Sequence, residues 1–482
     1  MLGGPIGSDI FCNDHTEKRV EKALEVLTAL GELPDPQVAL SLLRYCASFS
    51  KLVYSLRVVS HHKHSSALKG FDTAVQDCVE SFLGCSFSDS DWTLATLSTK
   101  MGGLGLRSTE LHSPAAFLAS QVACREMCPK LDNKYVWDSN NSQSNIARAL
   151  KDYNERVEIN RQMQSIDDKC PRQQALSQAI DDHTLSAIKE SRSSDKHYLA
   201  HLNLTTTGGA GAWLHTLPSD ALATHVDARL FRTMVQRRLR VPIFDTESHC
   251  PYCDEVMDKY GDHCLICACG GDRTKRHNLL RNEVFFFSNS TGLSPELERP
   301  GLLQPRPLGG TSQENGSDRD NNANRRPADI YMPKWRRGTP AALDFAVTSG
   351  LRVDLVNKSV LDGSASTVAY ERLKRQYRDT EETCRAEGIT FIPIICEADG
   401  GGWGPAANKV WSELAKTKAM LTGEQSSTIA NLLLQRLGLI LHRENARAIL
   451  RRFPNIIDQD CQELLAASAA CSGNMDPQQA TL

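Results

Sequence analysis

The tightest local constraint on this chain is the string Cys250-x2-Cys253, His263-x3-Cys267. Thiolate and imidazole together suit a tetrahedral zinc ion. A Cys-x2-Cys bend lets two sulfurs grip one ion, and His263 and Cys267, four apart, share one face of a helical turn. Closing a loop on a metal orders a segment too short to build its own core. Cys264 and Cys269 are spare thiols, either of which can substitute in the fourth position. Four protein ligands leave no open coordination position, so this zinc is expected to be structural.

Cysteine usage beyond the cluster sets the compartment. Five of the 16 cysteines fall within 250–269. A reducing compartment with one local metal site explains that better than a disulfide framework does. The opening MLGGPIGSDIFCND lacks a basic n-region, and no apolar run approaches the length of a membrane helix. The expectation is an intracellular, nuclear protein that is neither secreted nor in a membrane. With 482 residues there is room for two to four domains, and 40% hydrophobic content excludes global disorder. A net charge of -3 excludes a bulk polycation, so any nucleic-acid contact must come from basic residues gathered locally.

The hydrophobic pattern reads as α+β in several domains. Residues 1–125 carry helical spacing, first over 16–30. Asp35-Pro36 supplies a cap and a first-turn proline. Asp72 opens another helix, and a glycine turn at 101–107 precedes a small-residue helix over 113–126. Residues 126–223 are a polar helical and linker region without recognisable chemistry. An Arg-rich helix over 224–240 leads into the cysteine cluster, together spanning 224–272. Within 273–425 the pattern predicts a helix over 273–288 and strands over 293–298, 327–332, 341–348 and 389–397. It also predicts helices over 366–387 and 406–421. Residues 304–324, rich in Gly, Pro, Asn, Asp and Ser, read as a disordered insertion. Helices and a frayed tail fill 426–482.

The acids fall where hydrolytic chemistry would need them. Metal-dependent phosphodiester cleavage requires two or three oxygen anions on one ion and a group that positions water. Asp344 is a lone acid in an apolar strand, which is costly unless the charge is paired or metal-bound. Asp329 enters the neighbouring strand. Glu298 is the natural third carboxylate, with Glu296 its competitor on the same face. Ala346 stands two residues after Asp344, so a strand-borne lysine is absent there. Lys374 on the following helix can reach the same place, and Tyr377 shares its face.

Basic residues flank the cysteine cluster: Arg229, Arg232, Arg237, Arg238 and Arg240 before it, Arg273, Lys275, Arg276 and Arg281 after it. Such residues would contact phosphates without reading sequence. The glycine loop 400–405 opens a helix and could offer backbone N–H groups to a phosphate, though a plain connection is the simpler reading. His61-His62-x-His64 reads as a polar loop.

The combined string is Cys250-x2-Cys253, Gly261-Asp262-His263-x3-Cys267, Lys275-Arg276-His277-Asn278, Glu298, Arg326-Pro327-x-Asp329, Asp344, Lys374-x2-Tyr377. It resembles the restriction-like endonuclease of site-specific non-LTR retrotransposons. That resemblance implies a restriction-endonuclease-like (PD-(D/E)XK) α/β core with a small mixed sheet over 273–425, preceded by a zinc knuckle. It implies magnesium- or manganese-dependent nicking of DNA that primes reverse transcription. Asp329 and Asp344 would bind that metal, Lys374 would be the catalytic lysine and Glu298 a weaker match. Arg276, His277 and Asn278, with Arg237, Arg238 and Tyr377, would face DNA. The strings 2–9, 39–44 and 102–107 resemble the helical thumb that follows a polymerase palm, implying element RNA and an upstream polymerase region as partners. The chain has no Tyr-x-Asp-Asp or Phe-x-Asp-Asp, so it carries no polymerase active site of its own. The alternative reading is a catalytically decayed, zinc-dependent nucleic-acid-binding remnant.

Overall fold

The computed structural model describes residues 4–452 apart from 6, 136, 138–140, 167–170, 305–326 and 337. The anticipated insertion, Arg326 and the tail therefore lie outside the described residues, except for Gln304. The chain divides into two compact units: Met1–Asp195 with Leu217–Ala228, and Lys196–Thr216 with Arg229–Leu482. The first expected boundary at 125 does not separate units, and the segment 126–223 is shared between them.

Unit 1 is built of helices, with no strand among its described residues. Its first helix, Asp9–Gly31, starts earlier than the apolar spacing indicates, because the Ser8 side chain accepts the Phe11 N–H as an N-cap. Asp35 caps Gln37 and Val38 with Pro36 in the first turn, as expected. Asp72 does not open a helix; it lies inside Ser65–Leu83. Its carboxylate instead accepts the N–H groups of Thr109 (2.9 Å) and Glu110 (3.1 Å), capping the Thr109–Cys124 helix from a distance. Nor is the histidine cluster a solvated loop. Buried His61 bridges Glu110 (2.9 Å) and Asp152 (3.2 Å), and buried His64 meets Thr16 Oγ1 at 3.1 Å. His61 is held at both ring nitrogens and His64 at Nδ1.

Unit 2 is built on a mixed sheet in the order β3-β4-β5-β6. The strands are β3 (Glu296–Leu297), β4 (Ile330–Arg336), β5 (Thr339–Thr348) and β6 (Thr390–Glu397). β4 and β5 form an antiparallel hairpin closed at Gly338, whose φ of 78° needs no Cβ to accommodate. β5 and β6 run parallel, so the chain between them must cross over, and it does so through helices. The expected helix over 366–387 is two helices, Ala365–Gln376 and Thr380–Ala386, because Arg378 and Asp379 adopt positive φ. The expected strand over 293–298 shortens to β3, with Glu298 at φ 47° ending it.

The sheet's core joins Leu280, Val284, Leu343, Phe345, Ile394 and Trp411 to Leu433, Leu437 and Leu441. Those last three belong to the Ser426–Leu450 helix. The core therefore does not close at 425 as the sequence boundary had it. Burying each leucine contributes roughly 1.5–3 kcal/mol, so this helix is integral to the domain. The same helix ends over the cysteine cluster, where Ile449 packs with Cys250, Met257 and Leu265. Among the described residues, no helix is long and apolar enough to cross a membrane.

Candidate metal centre and acidic site

The cysteine cluster is a short hairpin, β1 (Ser248–His249) against β2 (Val256–Met257), followed by the helix Asp262–Ile266. Gly261 turns between them at φ 76°, where an added Cβ would sit 2.9 Å from Ile449. One ligand atom from each of Cys250, Cys253, His263 and Cys267 lies within 4.8 Å of the others. The Cys253–Cys267 and Cys250–Cys267 sulfurs are 3.5 and 4.0 Å apart, and Cys253 Sγ is 3.3 Å from His263 Nε2. A tetrahedral ion with Zn–S bonds of about 2.3 Å sets sulfurs roughly 3.8 Å apart, so the donor set fits zinc in both chemistry and spacing. Cys267 fills the position that the sequence left open. Cys264 is buried against Met257, its thiol pushed up to about 12 by burial, and Cys269 is exposed. Asp258 holds the ligand loop by accepting the N–H groups of Tyr260, Asp262 and His263.

The arginines near this cluster correct the sequence reading. Arg237 and Arg238 are only 4% and 3% exposed, so neither offers its charge to a phosphate. The Arg237 guanidinium donates to Asp399, to Asp262 (2.9 Å) and to the Tyr260 carbonyl (2.7 Å). It ties the metal-site helix to the residue just beyond β6. Arg276 is also buried and donates to Asn445 (2.6 Å) and the Leu265 carbonyl (2.9 Å), so it cannot face DNA. Burial pulls its guanidinium down to about 10. Arg237 and Arg276, expected at a basic surface, belong instead to an internal network of charge-assisted bonds.

The acidic site lies on the strands and the lysine helix. β4 and β5 pair Ile330 with Leu343, and one more step of that register sets Asp329 across from Asp344. The Asp329 N–H donates to Leu343 O (3.0 Å), and its carboxylate accepts the Phe345 N–H (2.7 Å). Lys374 Nζ, from the Ala365–Gln376 helix, is 2.7 Å from Asp344 Oδ2. His277, from the Asp272–Asn289 helix, brings Nε2 to 3.3 Å from Asp329 Oδ2 and 3.2 Å from Phe345 O. Its Nδ1 meets Asn278 Oδ1 at 3.1 Å, so Asn278 is engaged with its neighbour. Every one of these partners is an oxygen, which suits a protonated ring.

Electrostatics separate the two aspartates. Burial pushes both up. At Asp329 the bond and charge of His277, with the Phe345 N–H and Lys374, outweigh it and hold the carboxyl below its ordinary value. At Asp344 burial prevails over Lys374, and the charge of Asp329 adds to it. Lys374 is raised because Asp344 outweighs its desolvation, and His277 is raised because Asp329 does the same. The site thus holds two close carboxylates in unlike environments, with cations on both flanks.

Other expected members are placed elsewhere. Glu298 donates its N–H to Asp329 O (2.9 Å), but its carboxylate accepts Arg281 at 2.5 Å. Glu296 pairs with Arg299 on the surface. Tyr377 is 61% exposed just beyond the lysine helix, with Arg378 over its ring. The glycine loop is no phosphate cradle: the Gly400, Gly401, Gly404 and Ala406 N–H groups donate to Glu397, Glu397 O, Ile395 O and Glu371. Sequence reasoning missed Glu397, a fully buried carboxyl pushed up to about 8 by burial and by Asp399. It also missed the role of His277, although 277, 281 and 284 follow the helical spacing that faces the sheet.

The chain matches no protein-family model and no curated protein sequence.

Proposed function

We propose that unit 2 is a metal-dependent DNA endonuclease that nicks phosphodiester bonds, with a structural zinc ion on Cys250, Cys253, His263 and Cys267. The observation that carries this reading is the Lys374–Asp344 contact of 2.7 Å beside Asp329 on the adjacent strand. Magnesium or manganese held by Asp329 and Asp344 would supply charge stabilisation and a more acidic bound water. Asp329 stays ionised, its rotamer fixed by His277 and the Phe345 N–H. Asp344 carries a buried charge that gains from any cation brought to it. Lys374 orients a water or a phosphate oxygen through the same ammonium that now rests on Asp344. Tyr377, exposed at the helix end, is the contact to the DNA backbone.

The resemblance to retrotransposon endonucleases adds the wider setting. A nick would expose a 3′-hydroxyl for an upstream polymerase region copying element RNA in the nucleus. The reading is tested with the full chain on supercoiled plasmid, with magnesium or manganese. Wild-type protein should yield open circles and Asp344→Ala should not; intact plasmid from wild type across several metals would sink the enzyme reading. One observation favours a second reading, a nuclease that has decayed to a nucleic-acid binder. The Glu298 carboxylate is held by Arg281, leaving two carboxylates at the site where three would hold metal better.

A further inference from the structure

With Arg237, Arg238 and Arg276 turned inward, the charge that remains outside is distributed unevenly around the metal centre. On the hairpin side, Asp245, Glu247, Asp254 and Glu255 are all exposed, against a single exposed lysine, Lys259. That face repels phosphate. Next to the hairpin turn, the start of the Asp272–Asn289 helix meets the end of the Ser426–Leu450 helix. There one carboxylate, Asp272, accepts three guanidiniums: Arg447 (2.9 Å), Arg451 (2.7 Å) and Arg452 (2.7 Å). A second, Glu444, accepts Arg447 again (2.7 Å) and Arg443 (3.5 Å). Two carboxylates thus serve four arginines. Arg273 and Lys275 add two more cations, and neither makes an ion pair among the described residues. Burial together with Arg447, Arg443 and Arg451 draws the Lys275 ammonium below its ordinary value, with Glu444 opposing. So the cations crowd one another. Arg452 is fully buried, but Arg443 and Arg451 keep 28% and 30% of their side chains in solvent, and Arg273 is exposed.

We infer that Arg273, Lys275, Arg443 and Arg451 form a track for a nucleic-acid phosphodiester backbone beside the metal centre, which Arg451 reaches at the Tyr252 hydroxyl (3.4 Å). Crowded like charges with too few carboxylates are relieved by an external polyanion. The contact is to phosphates, so it carries no base readout. The track shares the domain with the proposed nuclease but none of its residues.

The test uses the full chain with calcium in place of magnesium, so that binding is read without cutting. Affinity for a short DNA duplex and for single-stranded RNA is followed across salt. The triple variant Arg273→Glu, Lys275→Glu, Arg443→Glu should lose at least about tenfold in affinity, and its slope of log affinity against log salt should shrink by about 2 to 3. Wild-type affinity and slope in that variant overturn the track. Should it fail to fold, judged by circular dichroism and zinc content, the glutamine triple stands in with the same criterion. The hairpin variant Asp245→Asn, Glu247→Gln removes no cation and should keep the wild-type slope; a fall as large as the triple variant's would put the track in the wrong place and overturn it. Loss in both the DNA and the RNA arm identifies the shared backbone, and loss in one arm alone names the source. Plasmid nicking at low salt with magnesium reports separately on the nuclease, since Asp329, Asp344 and Lys374 are untouched.

Discussion

The cysteine cluster and the acidic site occupy the same unit but are assembled in opposite ways. The four residues that could hold a metal fall between 250 and 267, on one hairpin and one short helix. The acidic site draws on residues 277, 329, 344 and 374, from two helices and the two strands of the β4–β5 hairpin. The first is held by a local motif and would be pinned by its ion. The second exists only once the β4–β5 register and the helix crossover are in place. Local chemistry is therefore separable from the fold in one case and inseparable in the other.

That contrast can be attacked directly. The largest effect is expected from Cys253→Ser, which removes a ligand that Cys264, buried against Met257, cannot replace. Zinc should fall from one per chain to under about half, and proteolysis should open residues 245–270, since structural zinc supplies order outright. Retained stoichiometric zinc would show that Cys269 substitutes. Asp344→Ala should cost nicking on the order of 10³-fold while zinc content and melting temperature hold. A matched loss of zinc would mean the two sites are not independent.

Arg237→Met probes the strut from the metal-site helix to Asp399. It leaves buried Asp399 without its guanidinium, while Asp262 keeps Arg240 (2.9 Å), and breaking such a buried pair costs about 3–5 kcal/mol. Urea unfolding should show that loss, and a change under about 1 kcal/mol would remove Arg237 as a strut. The smallest effect is expected from His61→Gln in unit 1, whose ring bridges two acids much as His277 bridges an acid and a carbonyl. The folded His61 is raised above its ordinary value: burial lowers it, but Asp152 and Glu110 outweigh that. Its contribution, up to about 1 kcal/mol, is fully present below the unfolded pKa near 6.5 and disappears as pH rises through the folded value. The stability gap between wild type and variant should narrow as pH rises above about 6.5; a gap that widens would contradict the assigned bridge.

The same contrast explains what could be read from sequence. Cys250, Cys253, His263 and Cys267 were legible because short spacings fix their geometry. Asp344 and the strand around it were legible because a lone acid in an apolar run is conspicuous. The arginines misled: Arg237, Arg238 and Arg276 sit where local pattern cannot tell a solvated charge from one folded against Asp399 or Asn445, residues more than 150 positions away. Glu298 misled for the same reason, its fate depending on Arg281. Asp72 looked like a helix start, yet it serves another helix as a cap across the fold.

The Ser426–Leu450 helix has a consequence for how the domain comes into being. It supplies Leu433, Leu437 and Leu441 to the sheet and Ile449 to the cysteine cluster. During synthesis, the segment ending at Cys267 leaves the ribosome well before Arg452 does. At about 5–20 residues per second that interval is roughly 10–40 s. For that time thiols and aliphatic faces stand without their lid, open to oxidation and to association with other chains. Zinc captured early would shield the thiols, and nothing comparable shields the sheet. Nascent unit 2 is therefore expected to lean on chaperones through its aliphatic face rather than through its cysteines.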